Sequence, residues 1–418
     1  MKVLVVNAGS SSLKYQLMDT ATEEVLAKGI CERIGLTGSL IDHRKTGAEK
    51  VKFEVPMENH SVATEIVVKM LTDEKYGCIS SMDEIEAVGH RVVHGGPYFF
   101  ESCLVTPEVV DTLKKCVEFA PLHTPAHIMG IEGCTKVMPK VPQVLVFDTS
   151  FHQTMEPQAY TYPLPMSMIE NDHIRRYGAH GTSHRFVSAE MNKILGRTDT
   201  KIITCHIGNG SSISAVKNGK VVDTSMGFTP LDGVEMGTRC GSIDPAIVPF
   251  IMKKYNIGVD EIADFMNKKC GFLGVSEYSS DSRDIEDAII GKFNDKLPTC
   301  PKTDAEKARV TRNAKLAADI LSYQIKKYIG SYTAAMNGLD AIVFTAGMGE
   351  NNPQLRERTC ENMEYFGIKI NKELNAVTLR QPNIVDLSAP DSKVKIYLIP
   401  TNEELMIARD TEEIVSKL

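Results

Sequence analysis

No apolar stretch in this chain approaches the roughly 18 residues that a membrane-spanning helix needs. The opening, Lys2 and a short strand-like run leading to Asn7, has the pattern of neither a signal peptide nor a transit peptide. Positive charge is in deficit, with 47 Lys and Arg against 54 Asp and Glu and a formal net charge of -7, which argues against a nucleic-acid partner. Substrate anions must then be met by local clusters of Arg and Lys. The ten cysteines stand singly from Cys31 to Cys360 with no C-x-x-C pair, the pattern of free buried thiols in a reducing compartment. Cys240 stands out only because it follows Arg239, and lone cysteines are usually small core residues. The expectation is a cytoplasmic protein with no membrane partner.

The common nucleotide signatures are also missing. There is no G-x-x-x-x-G-K-[ST] loop, and no protein-kinase glycine loop with its H-R-D and D-F-G partners. A Rossmann reading fails because Gly208-x-Gly210 leads into a second strand-like run and not a helix. Nucleotide binding has to use another scaffold.

What is present is the usual mixture of a folded protein, 42% hydrophobic and 24% charged, in a chain of 418 residues that favours two domains. Five short runs rich in β-branched residues share one design: Val3 to Val6, Val144 to Phe147, Ile202 to Cys205, Ala341 to Phe344 and Ile396 to Ile399. Each ends abruptly in small or polar residues, as buried strands of α/β proteins do where their carboxyl ends meet a ligand. Five such ends suggest convergence on one cleft. Helical spacing predicts helices over Val62 to Leu71, His184 to Leu195 (stopped by Gly196, with Gly181-Thr182-Ser183 as cap) and Asp304 to Met336. The stretch from Asn294 to Lys302 reads as a surface loop. A weak repeat relates Val3–Leu17 to Ile202–Val216, each reading strand, Gly-Ser-Ser turn, strand; such a hairpin tip offers N–H and hydroxyl groups to a phosphate.

The cationic candidates are Lys14, Arg91, Arg239 and Arg283. Arg91 and Arg239 are bracketed by glycine and apolar residues, poor surroundings for a merely solubilising charge, and a guanidinium fork suits carboxylate or phosphate. The plain alternative is a structural ion pair. His180 and His184 have the i, i+4 spacing of a zinc pair, but no third ligand is evident. His123 and His127 read as structural. Asp148 and Glu403 follow strands, where carboxylates make good magnesium ligands, whereas Glu404 reads as a solvated helix start.

These segments resemble the acetate kinase family. The resemblance is carried by Asn7-Ala8-Gly9-Ser10-Ser11-Ser12-Leu13-Lys14, Arg91-Val92-Val93-His94-Gly95-Gly96, Phe147-Asp148-Thr149-Ser150-Phe151-His152 and His180-Gly181-Thr182-Ser183-His184. It continues in His206 to Ser212, Asp223 to Pro245, Thr345 to Asn351 and Thr401 to Glu404, in the family's order from residue 3 to about 409. It implies an α/β fold of the superfamily of acetate and sugar kinases, heat-shock chaperones and actin: duplicated ribonuclease-H-like domains with an interdomain cleft. The implied domains are 1–150 plus about 404–418, with the acyl-substrate contacts, and 151–403, with the ATP and dimer contacts. The implied activity is reversible transfer of the ATP γ-phosphate to acetate, with Mg²⁺ (or Mn²⁺ in its place), in a homodimer.

By the same resemblance Arg91 holds the substrate carboxylate, with Val93, Leu122 and Pro230 lining the acyl pocket, and Asn7 and Glu403 position the metal. Asp148, His180 and Arg239 are catalytic. ATP is bound by Lys14, by His206, Ile207, Gly208, Asn209 and Gly210, by Asp281, Ser282 and Arg283, and by Gly347, Met348, Gly349, Glu350 and Asn351, the last group as a glycine-rich turn. One departure is Ala179, where many members place phenylalanine before the histidine; a smaller side chain either enlarges the acyl pocket or is compensated by a neighbour. A propionate or butyrate kinase, a pyrophosphate-dependent relative and a nucleotide-gated binding module like actin or a chaperone are the competing readings.

Overall fold

The computed structural model of the protein describes residues 1–379 and 382–418. The opening apolar run lies in β1 (Lys2–Gly9), which folds back on β2 (Ser12–Asp19) with Gly9 paired to Ser12 across a two-residue tip. β3 (Glu24–Glu32), β4 (Leu40–Lys45) and β5 (Val51–Glu54) continue the antiparallel meander. Three strands complete the sheet on the other side of β1: β6 (Ala87–Val92), β7 (Cys103–Leu104) and β8 (Gln143–Phe147). β6 runs parallel to β1 and β8 parallel to β6, giving the order β5-β4-β3-β2-β1-β6-β8-β7.

The second sheet repeats the plan. β9 (Lys201–Ile207), β10 (Ser211–Lys217) and β11 (Lys220–Thr224) form its meander. β12 (Ala341–Thr345), β13 (Val385–Asp386) and β14 (Lys395–Leu398) complete it in the order β11-β10-β9-β12-β14-β13, with β12 and β14 parallel to β9. Each sheet thus contains an antiparallel meander, of five strands in the first and three in the second, whose first strand has two parallel strands on its other side. This is the duplicated ribonuclease-H-like architecture of the actin-like ATPases, and the Gly-Ser hairpin repeat marks the equivalent first two strands.

The described residues divide into two compact units, Met1–Gln153 with Asn402–Leu418, and Thr154–Thr401. In the first, the helix Glu403–Val415 returns to lie on β6. Gly89 permits that approach, because a Cβ there would stand 2.4 Å from Thr411 Oγ1 and 2.6 Å from Ile407 Cγ2. In the second, the helix Asp304–Met336 spans the residues its periodicity predicts. It starts from a Thr303/Glu306 capping box and buries Val310, Ala314, Ala317, Leu321, Ile325, Ile329, Tyr332 and Met336 in one core.

Two local expectations are corrected. The helix expected from His184 begins at Gly181, and its cap is His180 in the left-handed region, φ 62°, not the Gly-Thr-Ser segment. Ser183 does not serve as cap because its hydroxyl is engaged by His206 Nδ1 and Thr401 Oγ1, both at 2.8 Å. The segment Gly347 to Asn351, read as a glycine-rich turn, is part of the helix Ala346–Asn351. Glu350 Oε1 reaches back to accept from the Ala346 N–H at 2.8 Å, which stabilises a helix start at φ 64° on a non-glycine residue.

Candidate active site

In the first unit, parallel pairing sets Arg91 beside Val146 and carries the two chains to their ends at Val92 and Phe147. Asp148, the next residue, donates its N–H to Val92 O at 2.9 Å. Its carboxylate then accepts twice from Arg91, from Nη2 at 2.7 Å and from Nε at 3.3 Å. Glu403 Oε2 lies 3.6 Å from Arg91 Nε. The Asp148 side chain is 2% exposed and that of Glu403 18%, so these charges interact with little screening. The Asp148 carboxylate beside it raises the Arg91 pKa further, so the group stays a cation throughout. Burial pushes the Glu403 carboxyl up to about 7; Arg91 and Lys14 oppose this, and Asp148 and Glu404 add to it. Asn7 pairs with Lys14 across the hairpin. Both line a groove of about 380 Å³, together with Lys28, Arg44 and Glu404.

In the second unit, the hairpin tip Gly208-Asn209-Gly210 faces two other groups. A Cβ on Gly210 would stand 3.3 Å from Arg239 Nη1 and 3.5 Å from His180 Nε2. His180 is fixed by its Nδ1 on Ser212 Oγ at 2.8 Å and by stacking on His206, with ring centroids 4.1 Å apart. His184 holds the same hydroxyl at 2.7 Å, so the i, i+4 histidines converge on a serine and not on a metal. Arg239 Nη1 donates to Pro230 O at 3.3 Å and approaches Met236 Sδ at 3.7 Å. Among the described residues no carboxylate pairs with it, and burial lowers its pKa from the ordinary value. A guanidinium kept in such a place is ready to accept an anion from outside the chain.

The remaining nucleotide candidates fall into two groups. Thr345 pairs with His206, so the Ala346–Asn351 helix begins beside the end of β9. Ile207 and Met348 sit in the core, leaving only their backbone to face a ligand, and Glu350 is occupied with Ala346 and Thr401. Asp281 caps the helix Ser282–Ile289 and pairs with Arg283, whose side chain is 81% exposed. Of the acyl candidates, the Val93 N–H donates to His127 Nε2, and Leu122 is exposed in the turn before Thr124. Ala179 is buried against Met226 and Met236, so side chains already close the space beside it.

Among the described residues no cluster of three or more His, Cys, Asp or Glu could hold a metal. Asn7 and Glu403 are hard oxygen donors, and Mg²⁺ needs few of them because it retains waters and takes substrate phosphates. A dication would also relieve the crowding of Glu403 by Asp148 and Glu404. The donor set fits.

Residues 2–409 match the acetokinase family. The chain belongs to that family. It is 52% identical to the acetate kinase of Caldanaerobacter subterraneus subsp. tengcongensis over 417 residues, 99% of each chain. The crystal structure of Porphyromonas gingivalis acetate kinase superposes with a TM-score of 0.91 at 46% identity, and that of a propionate kinase from Francisella tularensis with 0.87 at 37%, each over 99% of both chains. Within this acetokinase, sequence reasoning missed Ser212, although it stands in the repeated Gly-Ser-Ser turn. The alternation of β10, which puts residues 212 and 214 on one face, is the signal that could have found it. Lys28 and Arg44 line the groove with Lys14 only because the meander brings their strands together.

Proposed function

We propose that this acetokinase is an acetate kinase, transferring the γ-phosphate of ATP to acetate to give acetyl phosphate and ADP, reversibly and by direct in-line displacement. The observation that carries the reading is Arg239: a half-buried guanidinium with no carboxylate partner among the described residues, sharing the surroundings of Gly210 with His180 Nε2. Acetate is ionised at neutral pH, so no strong base is needed to activate it. The obstacle is bringing an anion to a polyanion, and catalysis is then mostly alignment and charge neutralisation.

Arg91 uses Nε and Nη2 on Asp148, leaving Nη1 to donate to the acetate carboxylate. Asp148 acts by holding that guanidinium in place; no base role is required of it. A carboxylate oxygen of acetate attacks the γ-phosphorus as the bond to the β-phosphate oxygen breaks, and Arg239 and His180 donate to the equatorial oxygens. Bound Mg²⁺, held by Asn7 and Glu403, would neutralise phosphate charge. Lys14, the His206 to Gly210 turn, Asp281 to Arg283 and the backbone from Gly347 to Asn351 hold ATP. Met226 and Met236 beside Ala179 support a short acyl pocket and hence acetate over longer acids. A cytoplasmic setting and a homodimer, with the ATP and dimer contacts in the larger unit, belong to the same proposal.

The test is a hydroxamate assay of acyl phosphate with acetate, propionate and butyrate, and with ATP or pyrophosphate as donor. The expected result is the highest kcat/KM for acetate with ATP. No acyl phosphate from any pairing overturns the proposal.

A further inference from the structure

Beside Arg239 the second unit holds two thiols that the reaction does not use. Cys240 follows the arginine, and Cys270 precedes the short helix Gly271–Ser276. Backbone hydrogen bonds join the two segments: Cys270 N–H to Thr238 O at 3.0 Å, Phe272 N–H to Met236 O at 2.9 Å and Leu273 N–H to Gly237 O at 3.0 Å. Gly271 makes this possible. Its φ is +61°, and a Cβ there would stand 2.1 Å from Met236 O and 2.8 Å from Arg239 O. The same approach sets Cys240 and Cys270 on adjoining segments, near enough for each thiol to influence the other. Cys240 Sγ also meets Met266 Sδ at 3.7 Å, and Cys270 Sγ meets Phe265 O at 3.3 Å. Both cysteines are half-buried, whereas Cys31, Cys116, Cys134, Cys205 and Cys360 are buried. Small oxidants therefore have a route to this pair that they lack to the core thiols.

We propose that Cys240 and Cys270 form a reversible oxidation site whose disulfide shifts Arg239 and slows phosphoryl transfer. The second half rests on the role proposed above for Arg239; the first half does not. A hydroperoxide supplies the oxidising equivalents. The Cys240 thiolate, favoured by the neighbouring Cys270, attacks a peroxide oxygen to give a sulfenic acid and one water. Cys270 then attacks that sulfur and displaces the second water, so two thiols and one hydrogen peroxide become one disulfide and two waters. A dithiol reductant returns the pair by exchange. A disulfide holds its sulfurs about 2.05 Å apart, well inside the contact distance of two unbonded sulfurs, so closing it draws the segment carrying Arg239 toward Cys270. Misplacement by about 1 Å in a positioning group costs on the order of 100-fold, so a fraction of that shift is expected to cost about 10-fold in kcat.

The test treats the reduced full-length protein with hydrogen peroxide, blocks residual thiols, and maps linked peptides by mass spectrometry alongside acyl phosphate turnover. The expected result is a Cys240–Cys270 linked peptide and a loss of turnover of about 10-fold, both reversed by dithiothreitol. Cys240→Ser and Cys270→Ser should keep the turnover of the reduced protein and lose its sensitivity to peroxide. Absence of the linked peptide overturns the site. A linked peptide with unchanged turnover, or inactivation that persists in both serine variants, overturns the switch. If the reduced protein forms no acyl phosphate, the switch falls with the functional assignment, and the peptide map alone decides the thiol pair.

Discussion

The two units present their key arginines in opposite states. Arg91, in the first, is gripped by Asp148 through two hydrogen bonds with Glu403 close by. Arg239, in the second, meets a carbonyl and a thioether and, among the described residues, no carboxylate. An arginine held by a buried carboxylate is rigid, with its charge largely satisfied, which suits fixing a small monoanion in one orientation. An arginine without a carboxylate keeps its full charge for a partner that arrives with more negative charge than one carboxylate, as a transferring phosphoryl group does. On the proposed mechanism, the difference separates positioning from charge neutralisation.

The comparison can be broken most directly at Arg91. Arg91→Ala should lose at least ~100-fold in kcat/KM, on the scale of removing one oxyanion donor. It should also lose stability, by about 3 kcal/mol in urea titration, because the Asp148 carboxylate is left buried without its cation. Unchanged stability would mean that the pair is not fixed in solution. Next in size is the surrounding of Ala179: Ala179→Phe should destabilise by about 1–3 kcal/mol, since Met226 and Met236 already fill the space. A fully stable variant would show that the space is open, and longer acids would then become fair substrates.

A smaller effect distinguishes the units by pH. Burial lowers the pKa of His90, His127 and His152 in the first unit to about 4. The unfolded chain binds protons there at the ordinary value near 6.5, so their contribution to stability is present above about 6.5 and lost as pH falls through about 4. Burial raises Glu235 in the second unit to about 8, and its carboxyl oxygens have no hydrogen-bond partner among the described residues. Its contribution is present below the ordinary glutamate value near 4.3 and is lost as pH rises through about 8. Glu235→Gln should therefore flatten the decline of Tm between pH 6 and 8 without altering the acid limb. An identical decline in the variant would contradict this origin.

Much of this was legible before any coordinates. The five β-branched runs are the parallel strands and their partners, since burial on both faces leaves a continuous apolar signature. The Gly-Ser hairpins exposed the duplication because a tight tip needs particular residues. The remainder depends on distance along the chain. Nothing in Arg91 or Asp148 alone says that 57 residues of sequence separation close to 2.7 Å. Nor does the sequence reveal that Ser183 caps no helix because His206 holds its hydroxyl. Periodicity reports the face a residue occupies, and only the fold reports what meets that face. Arg239 was singled out by its glycine neighbours, but its lack of a carboxylate is a property of the folded unit.

That lack is the centre of the account, and acetyl phosphate formation by Arg239→Ala tests it most directly. The account predicts that kcat with saturating ATP and acetate falls at least ~100-fold. Turnover close to that of the unaltered protein would contradict it.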